Sequence, residues 1–284
     1  MPEDIARRRD DDDWAPDLSS DTADTTDVAE TADRAEIAEI GELVGRLSGE
    51  EEMDRATRGR LLGRLARLLS ASARRAGSAG LGGGRWLADI VSEVAPHIPV
   101  RDLETLRRHH YGLQGERLAD SIARTATRGT TAVGAAGGAL AAVQFAAPPL
   151  LLTAPAQLVA EVVVVASIEV KLIAELHEVY GVQVQGNGAQ RAGIFLNSWA
   201  RRRGVDPMNP GSATLALGIA ARQALRKRLL RTLGRHLSTL GPFLTGAVAG
   251  GALNRAATKH LADDIRKDLR RVVGAPPDRN QLPN

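Results

Sequence analysis

His177 and Glu178, in the run ELHEVYG over residues 175–181, reproduce the first half of a zinc-peptidase helix. That motif needs a second histidine one turn on, so that both imidazoles face one metal. Position 181 is Gly181, and the pair is broken. His109 and His110 are adjacent, and successive helical side chains point about 100° apart, so they do not chelate together. Neither GxSxG nor GxxxxGK[ST] occurs. Without them a serine hydrolase lacks its nucleophile elbow and a P-loop ATPase its phosphate cradle. No metal, cofactor or catalytic residue is expected.

Glu169 is the acid that stands out. On a helical wheel Glu161, Lys171, Glu175 and Glu178 gather within about 100°, whereas Glu169 falls among Leu158, Val162, Val165, Leu172 and Leu176. A carboxylate on an apolar face titrates high unless something pairs with it, which suits a catalytic acid or a ligand anchor. An enzyme or ligand-binding protein would centre on Glu169 and His177. The structural alternative is a buried ion pair with an arginine from a neighbouring helix. An open pocket lined by Glu169 and His177 would favour the first.

Basic residues form the third set. Residues 55–75 hold seven arginines and no acid. Residues 222–235 hold Arg222, Arg226, Lys227, Arg228, Arg231 and Arg235, again without an acid, and Leu225, Leu229, Leu230 and Leu233 line the other side. Such a helix can lie on an anionic membrane with its basic rim at the headgroups. The alternative is a core helix with a solvated basic face. Nucleic acid is not expected as a partner, because aromatics that stack single-stranded bases are scarce and no recognition motif is present.

These residues need helices to hold them. Apolar side chains recur at helical spacing from Ile37 through Ile40, Val44 and Leu47, and again at Leu61, Leu65, Leu68 and Leu69. The second of these helices should run over 50–75 and break in the glycine-rich run at 76–86. Short helices are expected at 86–95 and 102–111, with Gly112 as a stop. Longer ones follow at 114–146, before Pro148-Pro149, and from Pro155 to Tyr180. Helices at 190–203, 213–237 and from Pro242 to Val273 complete the set. No alternating β pattern of useful length appears. The expected fold is all-α, a single multi-helix domain with a Gly/Ala-rich central helix pair. With eight aromatics and no cysteine in 284 residues, the core must be aliphatic and free of disulfides.

Charge divides the chain. Residues 1–36 carry thirteen acids and four arginines, a net of −9, which leaves +12 on the rest. Residues 1–34 are almost devoid of large apolar side chains and are expected to be a disordered acidic tail. The helical domain is then 35–274, and 275–284 a disordered C-terminal tail. The N-terminus has no apolar h-region, and the expected location is cytoplasmic, at the inner face of the membrane.

From Gly129 to Ala160 there is no charged side chain. A span needs about 20 predominantly apolar residues, yet Gly129–Ala147 is mostly Gly and Ala. Extending the next helix inward would bury Glu169 and Lys171 at about 2.5–3.5 kcal/mol each. Small residues suit close helix–helix approach instead, through Gly134 and Gly138 and a second strip, Gly246 and Gly250. The two strips are expected to cross in one core; a membrane-inserted hairpin is the alternative.

TTAVGAAGGAL, a break, PAQLVAEVVVVASIEVKLIAELHEVYG, then GAVAGGALNRAATKHLADDI: this order resembles the EcsC family over roughly 100–270. The matching points are Gly134, Gly138, Tyr180, Gly181, Gly250 and Asn254. Family members tend to carry an Asp before the Pro of the middle helix, where this chain has Thr153 and Ala154, so no role for that acid carries over. The resemblance implies an all-α bacterial protein with a membrane-linked accessory role beside a transporter, and brings no catalytic residues. The function expected is a non-enzymatic, membrane-peripheral helical protein, a transporter accessory or acyl-chain binder. Its partner would be an anionic membrane surface or a membrane protein.

Overall fold

A computed structural model describes residues 19–49, 53–82, 90, 93–146, 154–203 and 242–274. Among them are seven α-helices, one short 3-10 turn and no strand. The helices are α1 (Ser19–Gly49), α2 (Arg55–Gly82), α3 (Leu103–His109), α4 (Gly115–Ala146), α5 (Ala154–Tyr180), α6 (Gly188–Arg202) and α7 (Pro242–Gly274). The chain is all-α.

Helix ends follow local chemistry. Asp54 accepts from the Thr57 N–H (2.9 Å) ahead of α2, and Asp102 from the Thr105 N–H (2.8 Å) ahead of α3. These caps satisfy amides that the helix itself cannot. Asn187 and Gln190 form a reciprocal capping box at α6. Gly181, at φ +66°, stops α5. Two boundaries differ from expectation. The helical backbone of α1 begins at Ser19, ahead of the apolar period, with acids along its opening turns that favour the positive end of the helix dipole. α2 continues to Gly82 instead of breaking after Arg75. Of the helix expected at 86–95, residues 86–89, 91 and 92 lie outside the described residues, as do the helix expected at 213–237 and the terminal segments 1–18 and 275–284.

Residues 1–35 form one compact unit and 36–284 another. In the larger unit α1 and α2 run antiparallel, as Arg75 pairs with Glu36, Arg64 with Glu39, and Arg58 donates to the Leu47 carbonyl. Gly41, Gly45 and Gly49 line one ridge of α1. A Cβ on Gly41 would stand 2.5 Å from the His97 ring, and one on Gly45 2.8 Å from the His97 carbonyl oxygen. The 3-10 turn Ala95–His97 therefore rests directly on the α1 backbone.

α5 is the central helix. From Ser167 to Leu176 every residue is buried, the mark of a helix covered on all sides. α4 packs antiparallel to it, with Gly129 against Ile168 and Gly137 against Glu161. α7 is antiparallel to α4. The core joins Ile40, Val44 and Leu47 to Leu62, Leu65 and Leu69, and to Leu118, Ile122, Leu172, Ile173, Leu261 and Ile265.

Candidate functional site

Glu169 is completely buried, and its carboxylate is saturated. Trp199 Nε1–H donates to Oε2 at 2.8 Å, and Arg203 Nε–H to the same oxygen at 2.9 Å. Arg203 Nη2 donates to Oε1, which also accepts from Thr258 Oγ1 at 2.6 Å. Thr258 in turn contacts Thr130 Oγ1 at 2.9 Å. One acid of α5 thus ties together α4, α6 and α7. Four donors leave it no lone pair facing a substrate. The arginine partner is the structural alternative raised above, now with a number.

Spacing could have found part of this knot. Trp199 and Arg203 are four residues apart, on one face at the end of α6, and both reach Glu169. The long-range partner Thr258 leaves no such signal in the sequence.

His177 lies elsewhere. Its Nδ1 is 2.7 Å from the Ile173 carbonyl oxygen. A carbonyl only accepts, so the ring proton belongs on Nδ1. Burial holds the imidazole below its ordinary titration range, opposed by that hydrogen bond. The ring meets Phe195 edge-on at 5.1 Å, and lines a groove of about 700 Å³ between α5, α6 and residues 95–102. The walls are largely apolar, from Val170, Val182, Val184, Phe195 and Leu196, with Arg191 among the lining residues. Glu169 is not among them. The structure therefore does not bring Glu169 and His177 into one pocket.

Lys171 and Glu175 occupy a second polar site. The wheel grouped them with Glu161 and Glu178, yet both are buried because α5 has no solvent face there. Lys171 Nζ is 3.7 Å from Glu175 Oε1. With Arg58, Ser48 and His110 they line a cavity of about 30 Å³, about the room of one water. His110 Nδ1 is 2.9 Å from Ser121 Oγ.

The glycine strips meet. A Cβ on Gly134 would collide with the Gly250 carbonyl, and one on Gly250 with the Gly134 carbonyl. Asn254 Nδ2 donates to the Thr130 carbonyl at 3.1 Å. Gly138 is half-buried one turn further along α4. Gly246 belongs to the helical backbone of α7, and its surroundings lie outside the described residues. So do Arg222, Arg226, Lys227, Arg228, Arg231 and Arg235.

At the far end of α4, Glu116 accepts from Arg270 (2.9 and 2.8 Å), from Arg266 (2.7 Å) and from the Tyr180 hydroxyl (2.8 Å). These donors, Arg270 first, hold its carboxyl down at about 2. Arg266 also pairs with Asp120 at 2.6 Å, and Arg202 with Asp268 at 2.6 Å. Among the described residues no helix is long and apolar enough to cross a membrane, and no cluster of three or more metal-ligating side chains occurs. No family model matches the chain, and neither a curated protein nor a solved structure matches it.

Proposed function

We propose that this chain is a non-enzymatic helical protein that docks on an anionic membrane surface, as an accessory to a membrane system in the manner of the EcsC family it resembles. What carries this reading is how the charges are spent. Glu116, Asp120, Glu169 and Asp268 are engaged by arginines that clamp helices together. Arg107, Arg117, Arg124, Arg128, Arg255 and Lys259 are exposed and make no ion pair among the described residues. On α4 both acids, Glu116 and Asp120, are paired, while the bases Arg117, Arg124 and Arg128 are not, among the described residues. A surface of this kind attracts anionic lipid. The basic run from Arg222 to Arg235 enters the chain between Arg203 and Pro242 and adds six more bases. Co-sedimentation with phosphatidylglycerol-containing vesicles tests the reading. Salt-sensitive binding, absent with phosphatidylcholine alone, is expected; no binding at low salt sinks it.

The groove beside His177 favours a second role, capture of an acyl chain. Its volume falls within the range of small-ligand pockets, and its walls are chiefly apolar. A fluorescent fatty acid should bind the wild-type chain and lose affinity when Ala192→Trp fills the groove. Equal binding by both would place the ligand elsewhere.

A further inference from the structure

Contacts between side chains and backbone fix the register of three helices. Gly134 faces Gly250, Thr130 faces Asn254 and Thr258, and Glu116 faces Arg266 and Arg270, so α4 and α7 are antiparallel. Gly137 faces Gln157 and Glu161, Gly129 faces Ile168, and Glu116 faces Tyr180, so α4 and α5 are antiparallel too. The end of α4 and the beginnings of α5 and α7 therefore share one pole of the bundle.

Among the described residues, α4 and α7 carry no charge toward that pole. On α4 the last charged residue is Arg128, and on α7 the first is Arg255. By the register above these two lie at about the same height. Beyond them stretch eighteen residues of α4 and thirteen of α7, about 27 Å and about 20 Å of helix at 1.5 Å per residue. Two large apolar side chains there are turned outward, Val248 at 68% exposure and Leu158 at 45%. Below, Arg117, Arg124 and Arg128 fall within about 40° of one another on α4, and Arg255 and Lys259 are one turn apart on α7. All five are exposed.

We propose that this pole enters the headgroup and upper acyl region of an anionic bilayer, with Arg124, Arg128, Arg255 and Lys259 as a collar on the lipid phosphates. The proposal rests on the membrane reading above and says which end of the molecule carries it. Charge complementarity selects the lipid surface: helix ends of α4 and α7 without charge among the described residues, with outward Val and Leu and bases below that lack ion pairs, match a boundary where phosphates overlie hydrocarbon. Val248 stands about 10 Å beyond Arg255 along the helix, a depth typical of interfacial insertion. The uncharged stretches are rich in Gly and Ala and do not cross.

Glu161 is the ionisable group inside the described part of the pole. Gln157 Nε2 donates to it at 2.9 Å and to the Gly137 carbonyl at 2.8 Å. Burial raises the Glu161 carboxyl to about 7, so it shifts toward the neutral form in mildly acidic surroundings such as an anionic surface.

The chain has no cysteine, which makes the test direct. Val248→Cys, Leu158→Cys and Tyr111→Cys are each labelled in the full chain with an environment-sensitive fluorophore. Tyr111 is the control, because it is 97% exposed in the turn before α4, at the opposite end. Phosphatidylglycerol/phosphatidylcholine vesicles should blue-shift the labels at 248 and 158, with quenching by brominated acyl chains, and leave 111 unchanged. Arg128→Gln with Arg255→Gln should lower the partition constant about 25-fold at low salt, from about fivefold per base; Arg107→Gln with Arg117→Gln should do less. Binding in which 111 responds and 248 does not overturns the pole while the membrane reading stands. Absence of binding ends both. A shift at 248 that follows protein concentration without lipid assigns the pole to a second copy and overturns the proposal.

Discussion

Glu161 and Glu169 are about two turns apart on α5 and meet opposite fates. Glu169 has Arg203, Trp199 and Thr258 around it. Removing one partner of a buried pair leaves the other charge uncompensated. Glu169→Gln is expected to cost about 3 kcal/mol in urea unfolding, and Glu169→Gln with Arg203→Met less than the sum of the two singles. A loss below about 1 kcal/mol, the scale of a mild substitution, would remove the knot from the account of stability. Glu161 has only Gln157, and no charged group acts on it among the described residues. Its carboxyl is raised from 4.5 to about 7 by burial, so the folded state holds the proton more tightly than the unfolded chain. Stability from this residue is therefore greatest below about pH 4.5, falls as pH rises through 7, and levels off above. Linkage caps the effect at about 3 kcal/mol. Glu161→Gln should flatten that slope; an unchanged slope would show that Glu161 does not cause it. His177 is a quieter case, a ring oriented by the Ile173 carbonyl at the edge of a groove.

Helix contacts decide which glycines matter. Gly134 and Gly250 touch through their backbones, so a methyl at either must part α4 from α7. Gly134→Ala should cost about 1–3 kcal/mol even though alanine is the better helix former. Gly59→Ala on α2, where nothing lies within 4 Å, should gain about 0.5–1 kcal/mol. Thermal unfolding of the two variants reads both signs, and a gain at Gly134 would deny the close crossing. Much of this level was legible in sequence: Gly181 as a stop, the proline pair between α4 and α5, and the glycine spacing itself are local signals. Other features depend on partners far along the chain. Periodicity told that Glu169 faces inward but not that Arg203 and Thr258 would meet it. It could not tell that Lys171 and Glu175 would be covered, because that depends on α2 and α4 closing over α5. The ridge of Gly41, Gly45 and Gly49 made sense only once His97 lay on it.

Across the whole molecule the acidic first 36 residues and the basic remainder carry −9 and +12. Attraction between them acts over about 8–10 Å at physiological salt and competes with lipid for the same bases. A chain beginning at Ile37 should bind anionic vesicles more tightly than the full chain, and added salt should erase most of the difference. Equal co-sedimentation of the two would exclude competition by the acidic segment. The contacts that hold α4 also change in kind along its length. Glu116 rivets α4 to α5 and α7 at one end through Tyr180, Arg266 and Arg270. Further along, α4 and α7 meet at Gly134 and Gly250, backbone against backbone. Tongs riveted at the handle spread most easily at the tips. Backbone amides of α4 near Leu118 and Ile122 should therefore exchange with deuterium more slowly than those past Gly134. Uniform exchange along α4 would rule the gradient out. Burial favours neutral Glu161, so it is a rise in pH through about 7 that puts charge near the tips and eases them apart, while the Glu116 carboxyl, held near 2, keeps the handle shut throughout.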